Sequence, residues 1–290
     1  MTTTTLVAGA TGYLGRFVVA ELHRRGHKVR ALTRSRERAV SPGPWDSPSL
    51  DGLVDDWAVG EVTNPAFVAD VAEGVDDVIS TLGVTRQKAN PWDIDHRANL
   101  AILRSAETHG VTHFCFVNVI GGDQCPAQLT RAKTAFAHEL AASRISSQII
   151  NPPGYFSDMT QILQMARKGR VLLFRPDTRI NPIHGADLAT FCIDRLTDGK
   201  EGTWDVGGPE VFTWKGLAEC AFQALHRPVR VATMSPAILS PLIGALRLFN
   251  RRRADMLRFI SWNMLRDCVG EPFGTHGLLD FYKDLVAGRH

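Results

Sequence analysis

"TLVAGATGYLGRFVVAELHRRGHKVRALTRSRER", residues 5–38, is the stretch whose reading decides the fold. A short apolar run (5–8) meets three glycines three apart, Gly9, Gly12 and Gly15, and a helix-patterned segment opens at 13–25. In such a strand–turn–helix, one glycine permits the tight turn, one lets backbone approach a pyrophosphate, and one allows close helix–strand packing. The helix then aims its free N–H groups and the positive end of its dipole at the anion. The spacing here is G-x-x-G-x-x-G, and the same residues would also serve a tight turn with no ligand. The second apolar run (28–32) separates the readings, because its end selects the dinucleotide. A 2′-hydroxyl calls for a carboxylate roughly 20 residues after the glycines. This chain has Thr33 and then Arg34, followed by Arg36 and Arg38. A guanidinium fork suits a 2′-phosphate, so the expected cofactor is NADP(H) rather than NAD(H). The plainer reading of these arginines is a solvated face.

Beyond this stretch, short β-branched runs at 54–59, 77–81, 113–119 and 147–151 alternate with helical patterns at 65–73, 93–109, 129–142 and 157–168. Each connection can carry a crossover helix, so the strands are expected to pair in parallel. In 129–142, Leu129, Ala132, Phe136 and Leu140 fall on one face at buried-stripe spacing. After about residue 150 the pattern loosens. Short strands near 171–174, 181–183 and 203–206 mix with helices at 185–197, 213–225, 236–249 and 277–287. The expected fold is therefore α/β: a Rossmann-type doubly wound parallel sheet with a smaller C-terminal substrate lobe. A nucleotide-binding domain at 1–150 and a mixed α/β lobe at 151–290, packed on the sheet's C-terminal edge, would make one compact unit.

The bulk composition narrows the function. The 290 residues are 44% hydrophobic and 22% charged, with a net charge of +3, too small a surplus to point to nucleic acid. The chain enters a strand almost at once, leaving no room for a signal peptide. "PAILSPLIGALRLF" (236–249) falls short of the ~20 residues of a membrane span. Five cysteines (115, 125, 192, 220, 268) show no metal spacing, which fits reduced thiols in the cytoplasm. No metal site is expected.

In order along the chain stand "GATGYLG", "LTR", "GEVTNP", "WDIDHRANLAIL", "RAKTAFAHEL", "NPPGYF" and "NPIHGADLA". Together, from residue 5 to about 210, they resemble the atypical short-chain dehydrogenase/reductases of the NmrA-like and isoflavone-reductase-like branch. Within that branch they look closest to divinyl chlorophyllide reductase-like proteins. The resemblance implies that Gly9, Thr11, Gly12, Tyr13, Leu14 and Gly15 cradle the phosphates and that Arg34 meets the 2′-phosphate. It also implies that Glu61 and Val62 border the adenine, that Thr81, Leu82 and Gly83 line the ribose and nicotinamide side, and that Pro152, Pro153, Gly154 and Phe156 flank the nicotinamide.

Two departures bear on chemistry. The family's Tyr-x-x-x-Lys keeps its lysine as Lys133, but the tyrosine position is Leu129, and the serine ending strand five is Asn118. Asn151-Pro152 replaces the usual Arg-Pro. The resemblance makes Lys133 a contact to the nicotinamide ribose, and as a cation it can stabilise charge on a substrate oxygen. Asn118 either donates to that oxygen or satisfies the strand end.

Among other polar residues, Tyr155 is a candidate proton donor, His184 a substrate contact or a turn-capping histidine, and Asp187 a helix-terminus carboxylate. Trp92, Arg86 and Asp123, candidate substrate contacts, fall in loops expected at the sheet's C-terminal edge. Segment 236–253 joins Ile238, Leu239, Leu242, Leu246 and Phe249 to "RRR" at 251–253. Burial as core or pocket lid is the expectation, with a dimer face or a membrane-surface helix as the alternatives.

These features point first to an NADPH-dependent reductase of a small, fairly apolar carbonyl or conjugated alkene, working as monomer or homodimer. An NADP(H)-binding sensor without catalysis stands as the alternative. So does a non-redox cyclase or isomerase with structural NADP.

Overall fold

The structure, a computed structural model, describes residues 3–84 and 89–289. Arg86, a candidate contact, lies outside them. In chain order the elements begin with β1 (Thr4–Ala8), α1 (Tyr13–Arg24), β2 (Lys28–Thr33), α2 (Arg36–Val40), β3 (Asp56–Val59), α3 (Pro65–Val68) and β4 (Asp77–Ser80). A π-helical turn (Trp92–Ala98) runs into α4 (Asn99–Thr108), followed by β5 (His113–Val117), α5 (Gln128–Ala141), β6 (Ser146–Asn151) and α6 (Phe156–Arg167). Then come β7 (Val171–Leu173), β8 (Arg179–Ile180), α7 (Gly185–Thr197), β9 (Gly202–Gly207), β10 (Phe212–Thr213) and α8 (Trp214–Ala224). The chain closes with β11 (Val231–Thr233), α9 (Leu239–Phe249), α10 (Arg251–Met264), β12 (Glu271–Pro272) and α11 (Leu278–Ala287).

The chain divides into two units, and the division is more than a single cut near residue 150. Residues 1–118, 132–151 and 188–204 form the first, and 119–131, 152–187 and 205–290 the second.

In the first unit the strand order is β9-β6-β5-β4-β1-β2-β3, and every neighbouring pair from β3 to β6 is parallel. This is the expected doubly wound Rossmann-type sheet, with the order reversing between β1 and β4. Successive strand residues point to opposite faces. Leu6, Ala8, Val78, Phe114 and Phe116 share one buried cluster with Val68, Ile102, Phe136 and Leu140 of the helices. The predicted stripe is buried: Leu129 is 5% exposed, and Ala132, Phe136 and Leu140 are 0%. Segment 65–73 is helical only to Val68.

In the second unit, α6 and α8 pack together with α11. Tyr282 is buried and donates its hydroxyl to Met159 O at 2.8 Å. Asn181 is a buried hub, donating to Gly208 O and Gly270 O while accepting from Gly270 N at 3.0 Å. A Cβ on Gly207 would stand 2.2 Å from its side chain, so that glycine is the price of close approach.

The core reading of segment 236–253 fails here. Segment 236–249 is not core: of α9 only Leu239 is buried, and Leu248 and Phe249 are 84% and 88% exposed. Apolar spacing marks two adjoining flanks of this helix, and the protein covers only one of them. The loosely patterned end also hides β10, β11 and β12, strands of only two or three residues, and α10, whose first turn is three arginines.

Candidate functional site

The glycine turn leaves β1 at the switch between β1 and β4. Gly9 has φ +81°, a left-handed backbone, and a Cβ there would stand 2.8 Å from Thr81 Oγ1 and 3.1 Å from Leu82 N. Gly12 donates to Gly9 O at 2.9 Å and caps α1 without any side chain. A Cβ on Gly15 would come within 2.1 Å of Gly9 O, so this residue lets α1 pack on the turn. Thr81 ties the two strand ends together, donating from its backbone to Ala8 O at 2.9 Å and from Oγ1 to Ala8 O at 3.1 Å. Thr11 and Tyr13 are half-buried and Leu14 is buried.

Helix caps differ along the chain: α1 opens without one, as do α4 and α9, which run on from a preceding helical turn. Ser35, Asn64, Thr213 and Asn250 cap α2, α3, α8 and α10 with side-chain oxygens. At α1 there is neither a side-chain cap nor an acidic residue in the first turn. Its N-terminal dipole is left for an outside anion.

Arg34 follows β2 directly and is exposed, with no ion pair among the described residues. Arg36 lies over the Trp57 ring at 5.5 Å instead. Gly60 N donates to Thr33 O at 2.9 Å, bringing the end of β3 beside that of β2. Glu61 next to it is exposed, while Val62 turns into the core.

Arg16 went unnoticed in the sequence. It is 4% exposed and donates to five carbonyls: Thr11, Ala39, Ser41, Pro48 and Arg38, at 2.7–3.2 Å. One buried guanidinium thus ties the glycine turn to the loop after β2. A helical arginine beside glycines looks like any surface residue in sequence, so no signal there could have found it.

Lys133 is buried, and its ammonium faces inward. It donates to Leu82 O at 3.0 Å and Val117 O at 2.9 Å, stands 3.4 Å from Asp95 Oδ1, and lies 4.9 Å from the Phe116 ring centre. Asp95 is 0% exposed. Burial raises its carboxyl to about 6, against the opposing pull of Lys133. Burial likewise lowers Lys133, opposed by Asp95. The π-helical turn that carries Asp95 is anchored by Asn99, which accepts from Ser80 Oγ and donates to Asp95 O at 3.0 Å. A Cβ on Gly83 would lie 3.2 Å from Asp95 Oδ1, so Gly83 sits against this pair. Trp92 opens the same turn, its ring centre 5.5 Å from that of His96 in an edge-to-face arrangement.

Asn118 ends β5, donating its N–H to Ile150 O at 2.8 Å. Its side-chain Oδ1 is buried without a hydrogen-bond partner among the described residues. The first unit therefore brings together Gly9, Thr81, Leu82, Gly83 and Lys133 around the ends of β1, β4 and β5.

Pro152, Pro153, Gly154, Tyr155, Phe156, His184 and Asp123 belong to the second unit. There Gly154 O accepts from Ile183 N at 2.9 Å and Phe156 N donates to Ile183 O at 3.1 Å. Tyr155 caps α6. His184 is buried, accepts from Ala186 N at 3.2 Å and stacks on His276 at 4.1 Å. Burial, with the neighbouring His276, pushes its pKa down to about 4. Asp187 accepts from His276 Nδ1 at 2.8 Å and from two backbone N–H groups, so its carboxylate caps a turn. Asp123 is exposed.

Residues 9–199 match the NAD(P)H-binding family, a range that opens on the first glycine of the turn. The chain belongs to that family. The resemblance drawn from its motifs is borne out. A chloroplastic divinyl chlorophyllide a 8-vinyl-reductase of Zea mays is 30% identical over 84% of this chain. The chain spans 65% of that protein's length. Among solved structures, an NADPH-dependent quinone oxidoreductase of Escherichia coli, complexed with NADPH, superposes with TM-score 0.76 at 18% identity, over 97% of this chain and 99% of the other. A triphenylmethane reductase of Citrobacter does so with TM-score 0.75 at 14% identity, over 98% and 99%. These two likenesses concern the fold. The family's dinucleotide fits the first unit: side-chain-free backbone at Gly9 and Gly12 and an uncapped helix end are what a pyrophosphate needs.

Proposed function

We propose that the protein is an NADP(H)-dependent reductase of a small, fairly apolar carbonyl or conjugated alkene. The observation that carries this reading is the pairing of the uncapped α1 terminus with the exposed, unpaired Arg34 at the end of β2. A doubly charged 2′-phosphate matches a guanidinium that no carboxylate among the described residues neutralises. The relatives' names support the acceptor class, since a vinyl group and a quinone are both π-conjugated.

When bound, the reduced nicotinamide supplies a hydride. Gly9, Thr11, Gly12 and Tyr13 would hold the phosphates, with Leu14 and Gly15 packing the turn behind them. Glu61 and Val62 would border the adenine, and Thr81, Leu82 and Gly83 the ribose. Pro152, Pro153, Gly154 and Phe156 would flank the nicotinamide, and Trp92, Tyr155 and His184 the substrate. Lys133 acts through its field: its protons go to Leu82 and Val117 and its charge faces Asp95, so from a fixed position it would stabilise negative charge developing on a substrate oxygen. Asn118, with an unpartnered buried oxygen, orients the acceptor or a water beside it. For a conjugated alkene, water would supply the proton that completes the reduction, so Leu129 in place of the family's tyrosine is compatible with that chemistry. Five free, buried cysteines suit a reducing compartment such as the cytoplasm.

Titration with NADPH and NADH, followed by nicotinamide fluorescence, tests the first half; tighter binding of NADH refutes the assignment of Arg34. NADPH consumption against a panel of enones and ketones tests the second half. Strong binding with no turnover would favour a sensor, a reading that the inward commitment of Lys133 supports. Product formation without net NADPH consumption would favour non-redox chemistry.

A further inference from the structure

We propose that α9 and the first turn of α10 dock on an anionic lipid surface. The inward stripe of α9 is Leu239, Ile243 and Leu246, buried or half-buried at four- and three-residue spacing. A second stripe, Ile238 just before the helix and then Leu242, Ala245 and Phe249, runs along the adjoining flank about 100° round and is exposed throughout. Leu248, beside it, is 84% exposed. A wide apolar face is normally covered across its whole width, and a contiguous uncovered patch marks an interaction surface.

The charge at this patch identifies the occupant. From Pro236 to Ala254 the chain carries four arginines (247, 251, 252 and 253) and no acidic residue. Among the described residues none of the four has an ion pair. Three of them fill the first turn of α10, against its dipole, where cations are disfavoured. The first acid, Asp255, is committed elsewhere: it accepts from Gln128 N at 2.9 Å. Exposed leucine and phenylalanine beside unpaired arginines match acyl chains beside lipid phosphates. A second copy of this chain fits poorly, because two such faces would bring eight guanidiniums together without a carboxylate. The helix lies on the surface rather than crossing it: eleven residues rise only about 16 Å, and no helix among the described residues is long and apolar enough to span a membrane.

The test is co-sedimentation of the full chain with phosphatidylcholine vesicles, with and without phosphatidylglycerol, at low and high salt. The expected result is binding to the anionic vesicles that weakens with salt. Leu248→Ser with Phe249→Ser should reduce it at least ~10-fold. Replacing Arg251, Arg252 and Arg253 by Gln should reduce it roughly 100-fold and abolish the salt dependence. Circular dichroism and NADPH titration check that these exposed changes leave the fold intact. No vesicle binding, or equal binding to neutral and anionic vesicles, overturns the proposal. So does a wild-type dimer that the Leu248/Phe249 variant turns into monomer.

Discussion

At the scale of single residues, the chain's charged groups divide into those spent on the fold and those left for a ligand. Arg34 is left over. Replacing it by Ser should weaken NADPH roughly 10- to 100-fold while leaving NADH unchanged, since one charge-assisted fork contributes about 1.5–3 kcal/mol; paired fluorescence titrations read both. Lys133 is spent. Asp95→Asn keeps the shape but strands a buried ammonium between two carbonyls, costing about 3 kcal/mol in urea unfolding. Adding Lys133→Met to that variant should recover part of the loss. If the single variant unfolds like wild type, the pair contributes nothing to stability. Lys133 was legible as a motif residue, but its buried partner was not. Asp95 stands 38 positions away, and only the wide π-helical turn, anchored through Asn99, swings it under the lysine.

At the scale of elements, α1 carries the clearest contrast. Two of its glycines, Gly15 in the first turn and Gly26 just past the last, look alike in sequence but do different work. Gly26 has φ +80° with nothing within 4 Å of an added Cβ, so Gly26→Ala should cost only the backbone strain, about 1–2 kcal/mol, without touching nucleotide affinity. Gly15→Ala drives a Cβ into Gly9 O, with backbone on both sides and no flexible side chain to yield. It should lower the thermal midpoint and weaken NADPH more than ~10-fold together. Affinity preserved in the Gly15 variant would mean that the turn is structural only. The β-α alternation was readable because each strand of this sheet is a short apolar run and each helix has a 3.6-residue stripe, as Phe136 and Leu140 show. The exposure of α9 was not readable. Apolar periodicity reports that a face seeks cover, and it is silent on whether the chain itself supplies it.

At the scale of the molecule, two buried groups give stability opposite slopes with pH. His184 titrates at about 4 in the fold against 6.5 when free. The unfolded chain therefore takes up its proton first, and stability falls as pH drops from 6.5 to 4. Asp95 titrates at about 6 in the fold against 3.8 when free, so its contribution falls as pH rises through 3.8–6. Each is worth on the order of a few kcal/mol, and across the shared window they offset one another. Chemical denaturation from pH 4 to 6 should expose each by subtraction. Relative to wild type, His184→Leu should tilt stability toward acid and Asp95→Asn toward neutral pH; parallel slopes in both variants would refute the assignment.

Arg16 acts at this scale too. Carbonyl dipoles satisfy its protons but do not cancel its unit charge, and that charge is within hydrogen-bond reach of Thr11 in the glycine turn. Approaching nucleotide phosphates would feel a permanent attraction that no carboxylate among the described residues pairs away, so encounter should be faster than diffusion past a neutral pocket and should slow as electrolyte is added.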